Sequence, residues 1–151
     1  MRLLSLDVGE KRIGLASTDE LGVGIWPQPT LIRKALAEDL KALLQKIEDL
    51  SIQTLVVGLP LNMDGTEGSQ AKKTRGFISQ LVGEMKRKGI DLPAEWCDER
   101  LTSWEAEKRL GERMGKGRRK KEDVDAMAAC LILEDYLARQ KSPQPPFAKG
   151  G

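Results

Sequence analysis

The stretch that decides the fold is Met1-Arg2-Leu3-Leu4-Ser5-Leu6-Asp7-Val8-Gly9-Glu10-Lys11-Arg12-Ile13-Gly14. Arg2 to Leu6 reads as a short buried strand, an apolar run closed by a turn signal. Asp7 stands where that strand should end. A carboxylate at the tip of a core strand is costly to bury unless something cationic meets it. Gly9 supplies a turn, or lets another molecule come close to the backbone. Two readings of Asp7 follow: it receives a metal ion or polar substrate, or it hydrogen-bonds its own turn. Carboxylates arriving at the same place from elsewhere in the chain would decide between them.

Outward from this stretch, Arg12 to Thr18 reads as a second strand and Asp19-Glu20-Leu21-Gly22 as a turn. Val23 to Ile32 reads as a third strand that Pro27 and Pro29 confine to the sheet margin. Helical spacing then takes over from Arg33 to Leu50, with Leu36, Leu40, Leu43, Leu44 and Ile47 on one face. Thr54 to Val57 is a buried strand ended by Gly58, which implies a parallel pairing through a crossover. The glycine-rich loop Gly58 to Gly68 lies at that strand's carboxyl end, where sites of α/β proteins gather; its Asp64-Gly65 also reads as a simple turn. A helix over Ser69 to Lys88 buries Ala71, Ile78, Leu81, Val82 and Met85, and Gly89 stops it. Leu92 to Trp96 forms a fifth strand running into Cys97-Asp98-Glu99-Arg100. Thr102-Ser103-Trp104-Glu105 has the capping-box pattern of a helix start. A last helix covers Glu122 to Arg139, with Asp125 on a face of small and apolar residues.

Composition sets the limits. The chain has 151 residues, two widely spaced cysteines and no histidine. That removes serine–histidine and cysteine–histidine catalysis and any histidine-bound metal, and leaves carboxylates, lysine or backbone to do the chemistry. No apolar run approaches the length of a membrane span and the N-terminus opens a strand, so the expected location is cytoplasmic. Residues 1–139 read as one domain, and 140–151, with Ser142-Pro143-Gln144-Pro145-Pro146, as a disordered tail. Lys108 to Lys121 holds eight basic residues against Glu112, a local +7 in a chain of net +2, so the remainder carries −5. Such a block is a polyanion-binding footprint or a solvated loop.

Three carboxylates, Asp7, Glu99 and Asp125, each mark the end of a core element, although singly the Asp98-Glu99 pair also reads as a turn or dipole complement and Asp125 as a complement to its helix dipole. Brought together without a cation they would repel and raise one another's pKa values. Mg²⁺ or Mn²⁺ resolves the conflict, because hard cations take oxygen ligands. Two such ions can activate a water and stabilise the leaving oxygen of a phosphodiester. Lys11, Arg12, Lys72, Arg75, Arg100, Arg118, Arg119, Lys120 and Lys121 are the candidate nucleic-acid contacts.

The order of three antiparallel strands, helix, strand, helix, strand and helices is that of an RNase H-like α/β fold, a mixed five-stranded sheet flanked by helices. The chain also resembles the YqgF family of pre-16S rRNA nucleases, relatives of the RuvC-type Holliday-junction resolvases. The resemblance is carried by Leu6-Asp7-Val8-Gly9-Glu10-Lys11-Arg12-Ile13-Gly14, by Val57-Gly58-Leu59-Pro60 with Asp64-Gly65-Thr66, by Asp98-Glu99-Arg100-Leu101-Thr102-Ser103, and by Val124-Asp125-Ala126-Met127-Ala128-Ala129. It implies cytoplasmic maturation of the 5′ end of the small-subunit rRNA precursor. It also implies an acidic metal site of Asp7, Glu99 and Asp125, with Asp98 as the alternative second acid.

Rival readings differ in class. Asp7-Val8-Gly9 before a hairpin also resembles the phosphate turn of sugar kinases and actin-like ATPases, which need two lobes. A non-catalytic module binding RNA or branched DNA would use the same basic segment, but gains nothing from clustered acids. Junction resolution would call for a symmetric dimer; the expected state is a monomer or weak homodimer.

Overall fold

A computed structural model of the chain describes residues 1–99 and 121–141. Its elements are β1 (Leu3–Val8), β2 (Arg12–Thr18), β3 (Ile25–Ile32), α1 (Leu36–Asp49), β4 (Thr54–Leu59), α2 (Ser69–Arg87), β5 (Ala94–Asp98) and α3 (Lys121–Lys141). The strands form one sheet in the order β3-β2-β1-β4-β5. β1 pairs antiparallel with β2 and parallel with β4, which pairs parallel with β5. The mixed five-stranded sheet read from the sequence is present, with β1 at its centre.

Alternation along β1 sorts the two faces of the sheet. Leu4, Leu6 and Val8 point to one side and pack with Leu40, Leu43, Leu44 and Ile47 of α1 and Phe77, Ile78, Leu81 and Met85 of α2. Each fully buried Leu or Phe contributes about 1.5–3 kcal/mol by leaving water. Leu3 and Ser5 point to the other side, where α3 lies on Ala16, Val56 and Cys97 through Ala129, Ile132 and Leu133. The buried Ser5 hydroxyl donates to the Ala129 carbonyl at 2.7 Å, which locks α3 across the central strand. Asp7 shares the parity of Leu3 and Ser5 and therefore opens on the α3 side.

Several boundaries shift for local reasons. β3 starts at Ile25 instead of Val23, because the Val23 amide donates to the Asp19 carboxylate and completes the preceding turn. α1 starts at Leu36 instead of Arg33, whose amide is committed to the Lys11 carbonyl at 2.9 Å. β5 runs to Asp98 because pairing with β4 continues through Leu59↔Asp98. α3 begins one residue earlier than expected, at Lys121, and extends through 140 and 141, which the sequence assigned to a tail. The capping-box helix start, the rest of the basic segment and the rest of the tail lie outside the described residues. Cys97 and Cys130 are buried and not joined in a disulfide, and burial with a hydrogen bond to Asp135 pushes the Cys97 thiol up to about 12.

Candidate active site

Asp7 sits between two glycines, and each admits an acid from a neighbouring element. On one side it pairs with Gly14 of β2. A Cβ on Gly14 would stand 2.1 Å from the backbone oxygen of Asp125 and 3.2 Å from its Cα. Only a bare backbone lets the first turns of α3 press against the sheet there. On the other side, the parallel register that pairs Leu6 with Val57 brings Gly58 alongside Asp7. A Cβ on Gly58 would lie 2.3 Å from Glu99 Oε2 and 2.6 Å from Ile132 Cδ1. Glu99 therefore reaches across the empty position of Gly58 and hydrogen-bonds with Asp7. Its own backbone is fixed by its amide, which donates to the Leu59 carbonyl at 3.2 Å.

The electrostatics follow from that crowding. Burial raises the pKa of Asp7, the Glu99 hydrogen bond opposes that rise, and the charge of Asp125 adds to it. Glu99 is raised to about 10, first by burial and then by the Asp7 charge. The pair thus shares a proton in the place where two carboxylates would otherwise repel. The third acid is satisfied differently. Arg12 Nε donates to Asp125 Oδ2 at 2.7 Å, with both side chains partly buried.

Among the described residues no three His, Cys, Asp or Glu side chains stand close enough together to hold an ion. Asp7 and Glu99 are hydrogen-bonded to each other and Asp125 neighbours Asp7 electrostatically, but its carboxylate is engaged with Arg12. The donor set nonetheless has the chemistry a hard divalent cation takes: it is all carboxylate oxygen.

The basic candidates divide into groups. Lys11 and Lys72 are exposed. Arg12 is on Asp125. Arg75 makes two bonds to Glu67, at 2.7 and 2.9 Å, and lies over the Trp96 ring at 4.7 Å. Lys121 is exposed at the start of α3, while Arg100, Arg118, Arg119 and Lys120 are outside the described residues. The loop after β4 is built on its own hydrogen bonds: the Asn62 amide donates to the Thr66 carbonyl and Thr66 to Asp64, with Gly65 at φ 90°. Its Asp64-Gly65 is a turn.

Sequence reasoning overlooked Gly14 and Gly58 as the residues that assemble the site, although both stand within the quoted motifs. It also overlooked Arg33. That side chain donates to Asp39 Oδ2 at 3.2 Å and to the Gly9 carbonyl at 2.8 Å, and covers the Phe77 ring at 4.7 Å. It pins the turn that follows Asp7.

A mixed sheet in the order β3-β2-β1-β4-β5 flanked by these helices is the RuvC-like RNase H fold. The fold is shared with Thermus thermophilus RuvC solved with a Holliday junction substrate, at TM-score 0.57 and 13% identity over 96% of this chain and 99% of that one. It is shared also with the Fowlpox virus resolvase, at TM-score 0.58 and 9% identity over 94% and 100%. The chain belongs to the RuvX family, described as Holliday junction resolvase, whose sequence profile matches residues 1–139. A relative from Anaeromyxobacter sp. (strain K), named "Putative pre-16S rRNA nuclease", is 44% identical over 140 residues, covering 93% of this chain and 98% of its own. One from Synechococcus elongatus with the same name is 40% identical over 141 residues, covering 93% and 91%. Membership makes the chain a nuclease, a hydrolase of phosphodiester bonds.

Proposed function

We propose that this nuclease trims the 5′ end of the 16S rRNA precursor in the cytoplasm, using Mg²⁺ or Mn²⁺ held by Asp7, Glu99 and Asp125. The observation that carries the proposal is the Asp7–Glu99 contact across Gly58, with Asp125 brought alongside by Gly14. Two carboxylates in hydrogen-bond contact with a third beside them are costly to bury, and a cation ligated by them would offset that cost. The names of the two relatives support the choice of RNA.

Bound there, divalent cations would activate a water and stabilise the departing oxygen. The chain's own residues do the rest. Asp7 and Glu99 would hold the cation together with Asp125, and the proton on the Asp7–Glu99 pair would have to leave before both could act as ligands. Lys11, Lys72 and Lys121, with Arg100, Arg118, Arg119 and Lys120, hold backbone phosphates without reading sequence. Arg75 stacked on Trp96 lies farther along the β5 edge and can steady a flanking nucleotide.

A second reading is branched DNA, favoured by the family's description and by the shared fold with resolvases. One site suffices for trimming an RNA end, whereas a junction needs two sites related by a dimer axis.

The test is cleavage of a precursor 16S rRNA fragment and of a four-way DNA junction by the full chain with Mg²⁺ or Mn²⁺. Asp7→Asn and Asp125→Asn are run alongside, and RNA binding is measured in parallel. Expected is metal-dependent RNA cleavage lost in both variants with binding retained. Cleavage of the junction alone would install the second reading. Wild type that binds RNA and cuts neither substrate would make the chain a binding module.

A further inference from the structure

Of the three acids, two are relieved by a shared proton and the third by a guanidinium. The Arg12–Asp125 bond is a single contact at 2.7 Å between groups whose side chains are 26% and 23% exposed. It engages one of the five N–H donors of Arg12. The backbone of Arg12 is fixed independently, since the Gly9 amide donates to its carbonyl at 2.9 Å and closes the turn. The backbone of Asp125 is fixed by its seat on Gly14. Both side chains can therefore change partners while their main chains stay in place. The contact also lies beside the site: Asp125 adds its charge to Asp7, and Arg12 opens β2 where the turn out of β1 closes.

We propose that Arg12 is a metal-coupled exchange residue. It holds Asp125 while the site lacks a cation. When Asp125 gives up the guanidinium for the cation, Arg12 is released to contact the substrate phosphodiester next to the reacting centre. The inference rests on the nuclease reading of the three acids and adds to it an order of events and a role for a residue otherwise counted as a surface phosphate contact.

Its physical content is a coupling between two ligands of one carboxylate. A cation that must displace Arg12 binds more weakly than one that need not, and by reciprocity the cation increases what Arg12 can give to RNA. The opposing view is that Arg12 is a staple holding α3 to the sheet. The two differ in sign. Removing a competitor tightens metal binding, whereas removing a staple lets Asp125 drift and weakens it.

The experiment measures Mn²⁺ binding by the electron paramagnetic resonance of free Mn²⁺, with the full chain as wild type, Arg12→Gln and Asp125→Asn. Circular dichroism checks the fold of each. Expected is binding by wild type, weaker binding by Asp125→Asn, and binding by Arg12→Gln that is tighter by roughly threefold to fivefold, the size of a part-exposed ion pair. RNA affinity is then compared in Ca²⁺ and in EDTA, and the gain that Ca²⁺ gives wild type should be absent in Arg12→Gln. A measurement on wild type alone covers the case in which the variant does not fold. The Arg12 Nε–Hε resonance should shift and exchange faster with water as Mg²⁺ is added. Arg12→Gln binding Mn²⁺ no tighter than wild type while folded, or an unmoved Nε resonance at saturating Mg²⁺, would overturn the exchange and leave the acidic site standing. Wild type that binds no Mn²⁺ would overturn the acidic site and the exchange with it.

Discussion

Two arginine–carboxylate pairs flank the β1–β2 turn, and they are built differently. Arg33 reaches Asp39 at 3.2 Å and the Gly9 carbonyl at 2.8 Å, and lies 4.7 Å over Phe77. Asp39, whose side chain is 3% exposed, also accepts the Lys34 amide at 2.8 Å. Arg12 and Asp125 have one bond between them and about a quarter of each side chain open to solvent. A carboxylate with several fixed donors and no water has nowhere else to go. Asp125, with a single donor among the described residues and an opening to solvent, can exchange partners. The difference teaches which charges hold the fold and which are held ready by it.

Breaking the first pair should give the largest effect. Asp39→Ala leaves the part-buried Arg33 without its carboxylate and the Lys34 amide without its acceptor, and losing one member of such a pair costs about 3 kcal/mol, the low end for a buried pair. For a domain of this size that lowers the melting temperature by roughly 10 °C, measured by thermal unfolding. Asp125→Asn sharpens the contrast. It should leave the melting temperature close to wild type yet reduce metal-dependent cleavage on the order of 10²–10³-fold, as removal of one preorganised electrostatic group does. Gly14→Ala tests the seat of α3 without touching a charge. Its Cβ meets the Asp125 backbone at 2.1 Å, so overpacking costs about 1–3 kcal/mol, with loss of cleavage as Asp125 moves.

The shared proton predicts a pH dependence. Asp7 and Glu99 have folded pKa values above their unfolded ones. Between those values the folded state binds more protons than the unfolded state, so stability falls as pH rises. Without metal, the melting temperature should decline from about pH 4.5 through neutral pH, and Glu99→Gln should flatten that decline. The smallest effect belongs to the exposed Arg75–Glu67 pair: Arg75→Ala should leave the melting temperature at the wild-type value, because solvent screens such a pair, while weakening RNA binding if the Trp96 edge carries a nucleotide.

Much of the fold was legible because its signals are local. The apolar runs of β1 and β4, the helical stripe of α1 and the prolines of β3 each follow from periodicity or turn chemistry. Asp7, Glu99 and Asp125 stood out as candidates because each is a carboxylate at an element's end. What could not be read depends on contacts between distant parts of the chain. Nothing near Arg12 announces a partner 113 residues away. Nothing near Gly58 says that a glutamate from beyond β5 will cross it. Arg33 looks like the first residue of a helix until the Lys11 carbonyl claims its amide.

The most direct test of the acidic site is a crystal structure grown with Mn²⁺, with the ion located by its anomalous scattering. The prediction is Mn²⁺ between Asp7 and Glu99, with the Asp125 carboxylate turned to it and away from Arg12. Anomalous density elsewhere, or the Arg12–Asp125 bond intact in a crystal saturated with Mn²⁺, would contradict it.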